Sequence, residues 1–175
     1  MAVEKRRDFL SVLNAQGRSP EIPEEADAYG WLVGSWQLAC VRYRGVAVSI
    51  AGEAHFGWTL EGRAVQDVWI MPGLEERASA DRLNNMYGTT LRVWDRSIQA
   101  WRISWKNPVH DHYQEQIGRW SGQDVVQTGM RADGVVTRWR FTEITPDSFH
   151  WLGEALEPDG QTWKLEGEFL ATRVK

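Results

Sequence analysis

Residues 87–106, YGTTLRVWDRSIQAWRISWK, hold two short runs rich in Thr, Val, Ile and Trp, separated by the turn-forming residues 95–97. β-Branched and aromatic residues favour extended backbone, and a short polar break between two such runs favours a β-hairpin. In the second run, Trp101, Ile103 and Trp105 recur at every second position, which places them on one face of a strand. The stretch therefore predicts two antiparallel strands with an aromatic inner face.

The same pattern continues on both sides of this hairpin. Short apolar runs recur roughly every 10–13 residues and are separated by turn residues such as Ser121-Gly122, Asp133-Gly134 and Asp159-Gly160. Strands are predicted near residues 34–44, 46–58, 63–71, 87–94, 98–106, 110–120, 123–131, 135–144, 148–156 and 161–173.

Short strands joined by short turns favour an all-β fold, an antiparallel up-and-down β-barrel of about 8–10 strands, because a closed sheet has no open edge. A flat two-sheet sandwich is the alternative, but it needs longer crossover connections than most of those in this sequence. A barrel of this size leaves room for one small ligand.

The first 30 residues differ from the rest of the chain. Residues 3–14 predict a short amphipathic helix with Phe9, Leu10 and Leu13 on one side, and residues 15–30 predict an acidic surface loop rich in Pro and Glu. Residues 31–175 are predicted to form the barrel domain, with a loop or helical turn over residues 72–85.

Composition excludes several classes of protein. A chain of 175 residues with net charge −4 predicts one domain and excludes a strongly basic nucleic-acid binder or a polybasic membrane patch. The single cysteine, Cys40, excludes an intrachain disulfide and a CxxC site. No run approaches 18 apolar residues, and residues 1–17 lack the apolar core of a signal peptide. We therefore expect a cytoplasmic protein with neither a nucleic-acid nor a membrane partner.

Eleven tryptophans in 175 residues are unusual. Each brings a large apolar surface with one hydrogen-bond donor, which suits the lining of a wide interior. The interior could hold a flat, largely apolar molecule, or the indoles could fill it completely. Register between strands cannot be read from one sequence, so both alternatives stay open.

The start of the predicted barrel, Trp31-Leu-Val-Gly34-Ser35-Trp36, resembles the Gly-x-Trp of lipocalins and related calycin barrels. Residues 61–69 and 87–95 are similar to bacterial lipocalin-like domain families of unknown function, and the resemblance covers about residues 28–173. It implies a lipocalin-like or fatty-acid-binding-like barrel in which Trp36 closes the base and Arg173, on the last strand, lies across it. It implies no particular activity.

The haem-binding barrels called nitrobindins have a related fold and ligate haem through a His on the final strand. The last predicted strand here, residues 161–173, contains no His. Haem is therefore not expected, and no cofactor is predicted.

The sequence has no GxGxxG, P-loop, GxSxG or HExxH motif, which leaves few local signals for chemistry. The strongest is His110-Asp111-His112, because two His at alternate positions of a strand share a face. They could lie in solvent, transfer a proton or contact a polar ligand, and a metal site is a minor alternative that needs a third ligand. Candidates for that ligand are His55, Glu115 and His150.

Asp67 lies in the middle of a predicted strand between apolar neighbours. A carboxylate is rarely placed there unless it is paired. It is interpreted either as half of an ion pair with Arg63 or Arg92, or as an inward ligand anchor or base.

Charged and apolar residues alternate along the last three predicted strands. Arg138, Arg140, His150, Glu154 and Lys164 fall on the charged set, with Glu166 and Glu168 continuing it. Such alternation favours an outer lattice of ion pairs, with Trp139, Trp151, Trp163, Leu165 and Phe169 facing inward. The opposite orientation would give a polar pocket for an anionic substrate.

These observations favour a barrel that binds a small apolar or aromatic molecule, with a homodimer left open. Its predicted ligand-binding residues are Trp58, Gln66, Trp69, Trp101, Trp105, Trp139 and Trp151. The alternative is a cofactor-free lyase, isomerase or cyclase that uses the same pocket. Its candidate acids and bases are Asp67, His112 and His55, with Tyr87 or Arg92 steadying negative charge.

Overall fold

The computed structural model describes residues 8–77 and 85–175 of the chain. Each of the ten predicted strands is present in these ranges, and a short additional strand precedes them. The bounds are β1 Asn14–Ala15, β2 Gly34–Tyr43, β3 Val46–Thr59, β4 Ala64–Met71, β5 Met86–Asp95, β6 Ala100–Asn107, β7 His112–Ser121, β8 Asp124–Met130, β9 Val136–Thr142, β10 Ser148–Leu156 and β11 Trp163–Arg173.

Strands β2 to β11 form a closed antiparallel barrel of ten strands. Each strand pairs with the next along the chain, and β11 returns to pair with β2. Strand β1 adds outside this ring by pairing with the end of β3. The predicted up-and-down barrel is therefore confirmed, and the sandwich alternative is wrong because hydrogen bonding is continuous around the ring.

Part of the predicted N-terminal helix is present in the described residues, and it leaves most of its apolar side exposed. Helix α1 spans Phe9–Leu13, with Asp8 accepting a hydrogen bond from the Ser11 backbone N–H at 2.8 Å. Residues 3–7 of the predicted helix lie outside the described part of the chain. Phe9 and Leu10 are about seven-tenths exposed, so the expected apolar face is not packed on the barrel. None of the helices in the described ranges is long and apolar enough to cross a membrane.

The segment predicted as a surface loop, residues 15–30, instead contributes to the core. Ile22, Ala28 and Tyr29 are fully buried, and 3₁₀ turns at Glu24–Ala26 and Gly30–Leu32 carry the chain across one end of the barrel. Periodicity misses this role because the buried residues are separated by irregular backbone. The predicted loop over residues 72–85 lies partly outside the described residues.

The Gly-x-Trp motif closes this same end. The indole of Trp36 is buried and donates to the Leu32 carbonyl at 2.7 Å, and the guanidinium carbon of Arg173 lies 4.1 Å from the centre of a Trp36 ring. Arg173 also donates to the carbonyls of Trp31 at 2.6 Å and Val33 at 2.8 Å. The position of Arg173 implied by the resemblance is confirmed.

Candidate functional site

A cavity of about 500 Å³ lies inside the barrel and opens at the end opposite Trp36. Its lining comes from nearly all sides of the ring because inward side chains alternate along each strand. The residues that line it are Tyr43, Arg44, Trp69, Met86, Thr90, Arg92, Trp105, Asn107, His110, Asp111, His112, Arg131, Trp139, Trp151, Gly153, Glu166, Gly167 and Phe169.

The wall of the cavity is a continuous aromatic cluster. Trp69 and Trp139 each contact Trp151, with ring centres 5.8 and 5.5 Å apart. Trp105 extends the cluster from Trp139 at 6.2 Å, and Phe169 extends it from Trp151 at 5.5 Å. These edge-to-face and tilted contacts fix the orientation of the indoles and leave ring surface facing the cavity.

Glycines make room for two of the indoles. A Cβ on Gly153 would lie 2.6 Å from Cη2 of Trp151, and a Cβ on Gly88 would overlap the Trp105 ring. A larger residue at either position would push the neighbouring ring toward the cavity or out of its packing. The sequence therefore spaces small and large residues so that the barrel stays hollow.

The floor of the cavity carries a buried charge. Arg92 is 2% exposed and its Nη1 donates to Oδ2 of Asp67 at 2.5 Å, while its Nε donates to Oε1 of Gln127 at 3.3 Å. The other oxygen of Asp67 accepts from the Thr90 backbone N–H at 2.7 Å. Both carboxylate oxygens are thus engaged, which makes Asp67 the structural partner of Arg92. The ion pair anticipated with Arg63 or Arg92 is formed with Arg92.

Aromatic rings enclose this ion pair from the closed end. The guanidinium carbon of Arg92 lies 5.1 Å from the ring centre of Tyr29, 5.7 Å from that of Phe56 and 5.8 Å from that of Phe141. Burial raises the pKa of the Tyr29 hydroxyl well above its ordinary value, so that the group stays neutral. Arg92 is held rigidly, with one side packed and another lining the cavity.

The mouth of the cavity is polar. Arg131, just after β8, forms an ion pair with Glu166 of β11 across two intervening strands, with Nη1 and Oε2 2.8 Å apart. Glu166 occupies a bulge, because Gly153 pairs with Gly167 while Glu154 pairs with Leu165. The extra residue turns Glu166 toward the mouth, which strict alternation could not predict.

The same bulge corrects the predicted orientation of the start of β11. Trp163 was expected to face inward, but the guanidinium carbon of Arg138 lies 4.1 Å from its ring centre, on the outer face. There Glu154 accepts from Nε of Arg138 at 2.8 Å and from Nε of Arg140 at 2.9 Å. The predicted outer ion-pair lattice is confirmed for these residues, and Glu166 departs from it.

The His110-Asp111-His112 motif lies at the mouth but not on one strand face. His110 and Asp111 belong to the β6–β7 turn, where Asp111 has a φ of 52°, and β7 begins only at His112. Nε2 of His110 is buried without a hydrogen-bond partner among the described residues. Within residues 8–77 and 85–175, no group of three or more His, Cys, Asp and Glu side chains could hold a metal ion.

His112 lies against the aromatic wall. Its Nδ1 accepts from the Trp105 indole N–H at 3.4 Å, which places the proton of the neutral ring on Nε2. The residue as a whole is exposed, but packing of its ring against Trp139 removes part of the ring from water and so lowers its pKa. A hydrogen bond with Gln114 opposes this shift, and the nearby charge of Arg131 adds to it. A neutral His112 therefore presents a donor rather than a base at Nε2.

The remaining predicted catalytic residues lie outside the cavity. His55 is on the outer face of β3, where its Nδ1 is 2.9 Å from the Ser35 hydroxyl and its Nε2 is 3.3 Å from Glu53. Tyr87 is also outside, with Arg77 stacked on its ring at 4.7 Å. Strand alternation is the reason, since both residues have odd positions on strands whose even positions face inward there.

The predicted ligand-binding residues divide into two groups. Trp69, Trp105, Trp139 and Trp151 line the cavity. Three others do not. Gln66 is on the outer face and donates to the Thr89 hydroxyl at 3.2 Å; Trp101 lies at the closed end, donating to the Ala26 carbonyl at 2.8 Å; and Trp58 packs there beside Gly30.

Sequence reasoning did not single out Tyr43, Thr90, Asn107 and Arg131. Thr90 had a signal, because it alternates with Arg92 along β5. Tyr43, Asn107 and Arg131 sit at strand ends beside turns, where the face of a side chain depends on turn geometry rather than period. Their place at the mouth follows only from closure of the barrel.

No protein-family model and no curated protein matches this sequence. Among solved structures, the chain is similar to an S-type phycobiliprotein lyase from Guillardia theta, with a TM-score of 0.52 and 12% sequence identity. The match covers 83% of this chain and 89% of the lyase. At this identity, the similarity concerns the barrel fold alone.

Proposed function

We propose that the protein binds a small, flat, largely apolar molecule inside its barrel. The observation that carries this proposal is the aromatic wall of a cavity of about 500 Å³ with one buried guanidinium at its floor. Ligand pockets commonly combine an apolar lining of this size with a few fixed polar groups. Trp69, Trp105, Trp139 and Trp151 would cover the faces of the ligand, and Arg92 would fix its inner end.

The placement of the titratable groups favours binding over acid–base catalysis. An enzyme would need an acid and a base within reach of one reacting molecule. Asp67 has both oxygens engaged, His55 and Tyr87 are on the outer face, and only Arg92 and His112 of the candidate set line the cavity. A neutral donor and a paired cation suit recognition of an acceptor atom.

The similar solved structure is named as a phycobiliprotein lyase. Because that fold match covers most of both chains, we include an open-chain tetrapyrrole among the molecules to be tested. The aromatic wall alone also supports smaller polycyclic ligands, and neither class is favoured by the fold.

Intrinsic tryptophan fluorescence tests the proposal directly. The probes are biliverdin, haemin, oleate and 1-anilinonaphthalene-8-sulfonate, titrated into the wild-type chain and two variants. Trp139→Leu removes part of the cavity wall, whereas Trp120→Leu removes an indole that is 38% exposed outside it and serves as the matched control.

We expect saturable quenching by at least one probe at micromolar concentration. Trp139→Leu should weaken that binding by roughly tenfold, the size of one lost aromatic contact, and Trp120→Leu should leave it unchanged. Absence of saturation with every probe, or equal weakening by both variants, would contradict binding inside the barrel.

A further inference from the structure

We infer that the ligand enters the barrel with an uncharged carbonyl oxygen leading, and that this oxygen binds Arg92, while any charged group of the ligand stays at the mouth. The inference rests on the proposed function and names the ligand class as a planar conjugated carbonyl compound, such as a quinone.

The floor of the cavity offers donors that lack acceptors. A guanidinium has five N–H groups, and the described residues accept from only Nη1 and Nε of Arg92. Among residues 8–77 and 85–175 no acceptor reaches Nη2, although Arg92 is almost wholly buried and lines the cavity. An unpartnered guanidinium donor on a residue that lines the cavity gains most from an oxygen acceptor supplied by the ligand.

The charge at the floor selects a neutral acceptor. Asp67 already balances Arg92 at 2.5 Å, and its side chain has no solvent exposure. A carboxylate placed beside this pair would give the buried site a net negative charge without a further cation, which is costly in an apolar surrounding. A carbonyl oxygen can accept from Nη2 with no change in net charge.

The mouth can accommodate a charged group, because there the group keeps part of its hydration. Arg131 and Glu166 neutralise each other, and Arg44 and Asp111 line the same opening with opposite charges. The Nε2 donor of His112 and the unpartnered Nε2 of His110 add hydrogen-bonding capacity there. An amphiphilic ligand therefore has its lower-energy orientation with the carbonyl at Arg92 and the charge outside.

A matched pair of probes isolates the carbonyl. Anthraquinone-2-sulfonate and anthracene-2-sulfonate share three fused rings and one sulfonate, and differ in the two ring carbonyls. Quenching of tryptophan fluorescence gives the dissociation constant of each. We expect the quinone to bind at least tenfold more tightly, as one hydrogen bond to a charged donor would produce.

Three variants assign the difference to a residue. In Arg92→Met/Asp67→Leu the ion pair is replaced by apolar side chains together, and the ratio of the two dissociation constants should fall to about one. Arg131→Met, at the mouth, should change both constants by the same factor and keep the ratio. Arg92→Lys, which keeps the charge opposite Asp67 but lacks the forked donors, should lower the ratio even if the double variant does not fold, as judged by circular dichroism.

The outcomes separate the two proposals. Equal binding of both probes, or a ratio that persists in the Arg92 variants, overturns the role of Arg92 and leaves ligand binding in place. Saturable binding of neither probe overturns the inference, and it contradicts the proposed function as well if the four probes of the first experiment also fail.

Discussion

Nη1 of Arg92 lies 2.5 Å from Oδ2 of Asp67 inside the barrel, where 2% and 0% of the two side chains are exposed. Both charges are removed from water, and each is compensated almost entirely by the other. Further contacts are made by Gln127 with Arg92 and by the Thr90 N–H with Asp67. The pair therefore links the stability of the barrel to the polar character of its cavity.

Removing one partner of this pair should destabilise the fold strongly. Asp67→Asn leaves Arg92 as a buried charge without a counter-ion, and we expect a loss of about 3–5 kcal/mol in the free energy of unfolding, measured in urea. Asp67→Leu/Arg92→Met removes both charges and should cost much less, or nothing. Glu115→Gln, which breaks the exposed pair with Lys106, is the control and should change stability by less than about 1 kcal/mol. Equal losses in the single and double variants would show that packing rather than charge holds the site.

Gly88 should be required for an open cavity. A Cβ at this position overlaps the Trp105 ring, which lines the cavity wall. Gly88→Ala should therefore displace Trp105 and cost about 1–3 kcal/mol in stability, with weaker quenching by any probe that binds the wild type. Gly57→Ala is the matched control in β3, because nothing lies within 4 Å of its added Cβ. If the two alanine variants behave alike in thermal unfolding and titration, the proposed crowding at Trp105 is wrong.

The pKa of His112 predicts a pH dependence of stability. Contact of the ring with the aromatic wall removes part of it from water and holds this pKa below its ordinary value of 6.5, although the residue as a whole is exposed. The unfolded chain therefore takes up a proton on His112 at a higher pH than the folded chain does. The free energy of unfolding contributed by this group is complete above pH 6.5 and is lost as the pH falls through the folded-state pKa. The charged or titratable groups Arg131, His110 and Glu166 also act on this ring. All three are present in both the wild type and the variant described next.

His112→Gln tests this dependence. The variant should lose less stability than the wild type between pH 8 and pH 5 in urea unfolding, because one titrating group has been removed. The difference at pH 8 reports the loss of packing and of the hydrogen bond from Trp105, since both proteins are uncharged at this position there. A wild type and variant with parallel pH profiles would rule out a depressed pKa at His112.

The barrel and the inward-facing residues of its strands could be predicted from the sequence. The alternation of inward and outward side chains is a property of each single strand. Trp101, Ile103 and Trp105 are all buried, as their spacing indicated. Asp67 could also be interpreted as an ion-pair partner, because a mid-strand carboxylate between apolar residues requires one. Its partner, Arg92, was among two candidates that only strand register could separate.

The candidate site was harder to predict because it depends on how far along the barrel each inward residue lies. Trp101 and Trp105 share a face of β6, yet one plugs the closed end and the other lines the cavity. The bulge at Glu166 inverts the expected alternation and moves Trp163 outside. Neither effect has a signature in residue type, since both arise from register across strands that are distant in sequence.

The guanidinium group of Arg173 should stabilise the closed end of the barrel. It lies over Trp36 and donates to the carbonyls of Trp31 and Val33. Both residues precede β2, so their carbonyls take no part in its strand pairing. Arg173→Met keeps much of the stacked chain but removes these donors, and we expect a loss of about 2–3 kcal/mol in the free energy of unfolding. Arg173→Lys should recover only part of it, because an ammonium cannot span both carbonyls while stacking on an indole.

Lys164→Met, an exposed substitution on the same strand, is the control for β11. Near-ultraviolet circular dichroism, which reports the packing of Trp36, should change in the Arg173 variants and not in the control. Full stability in Arg173→Met would mean that the N-terminal segment closes the barrel without this residue.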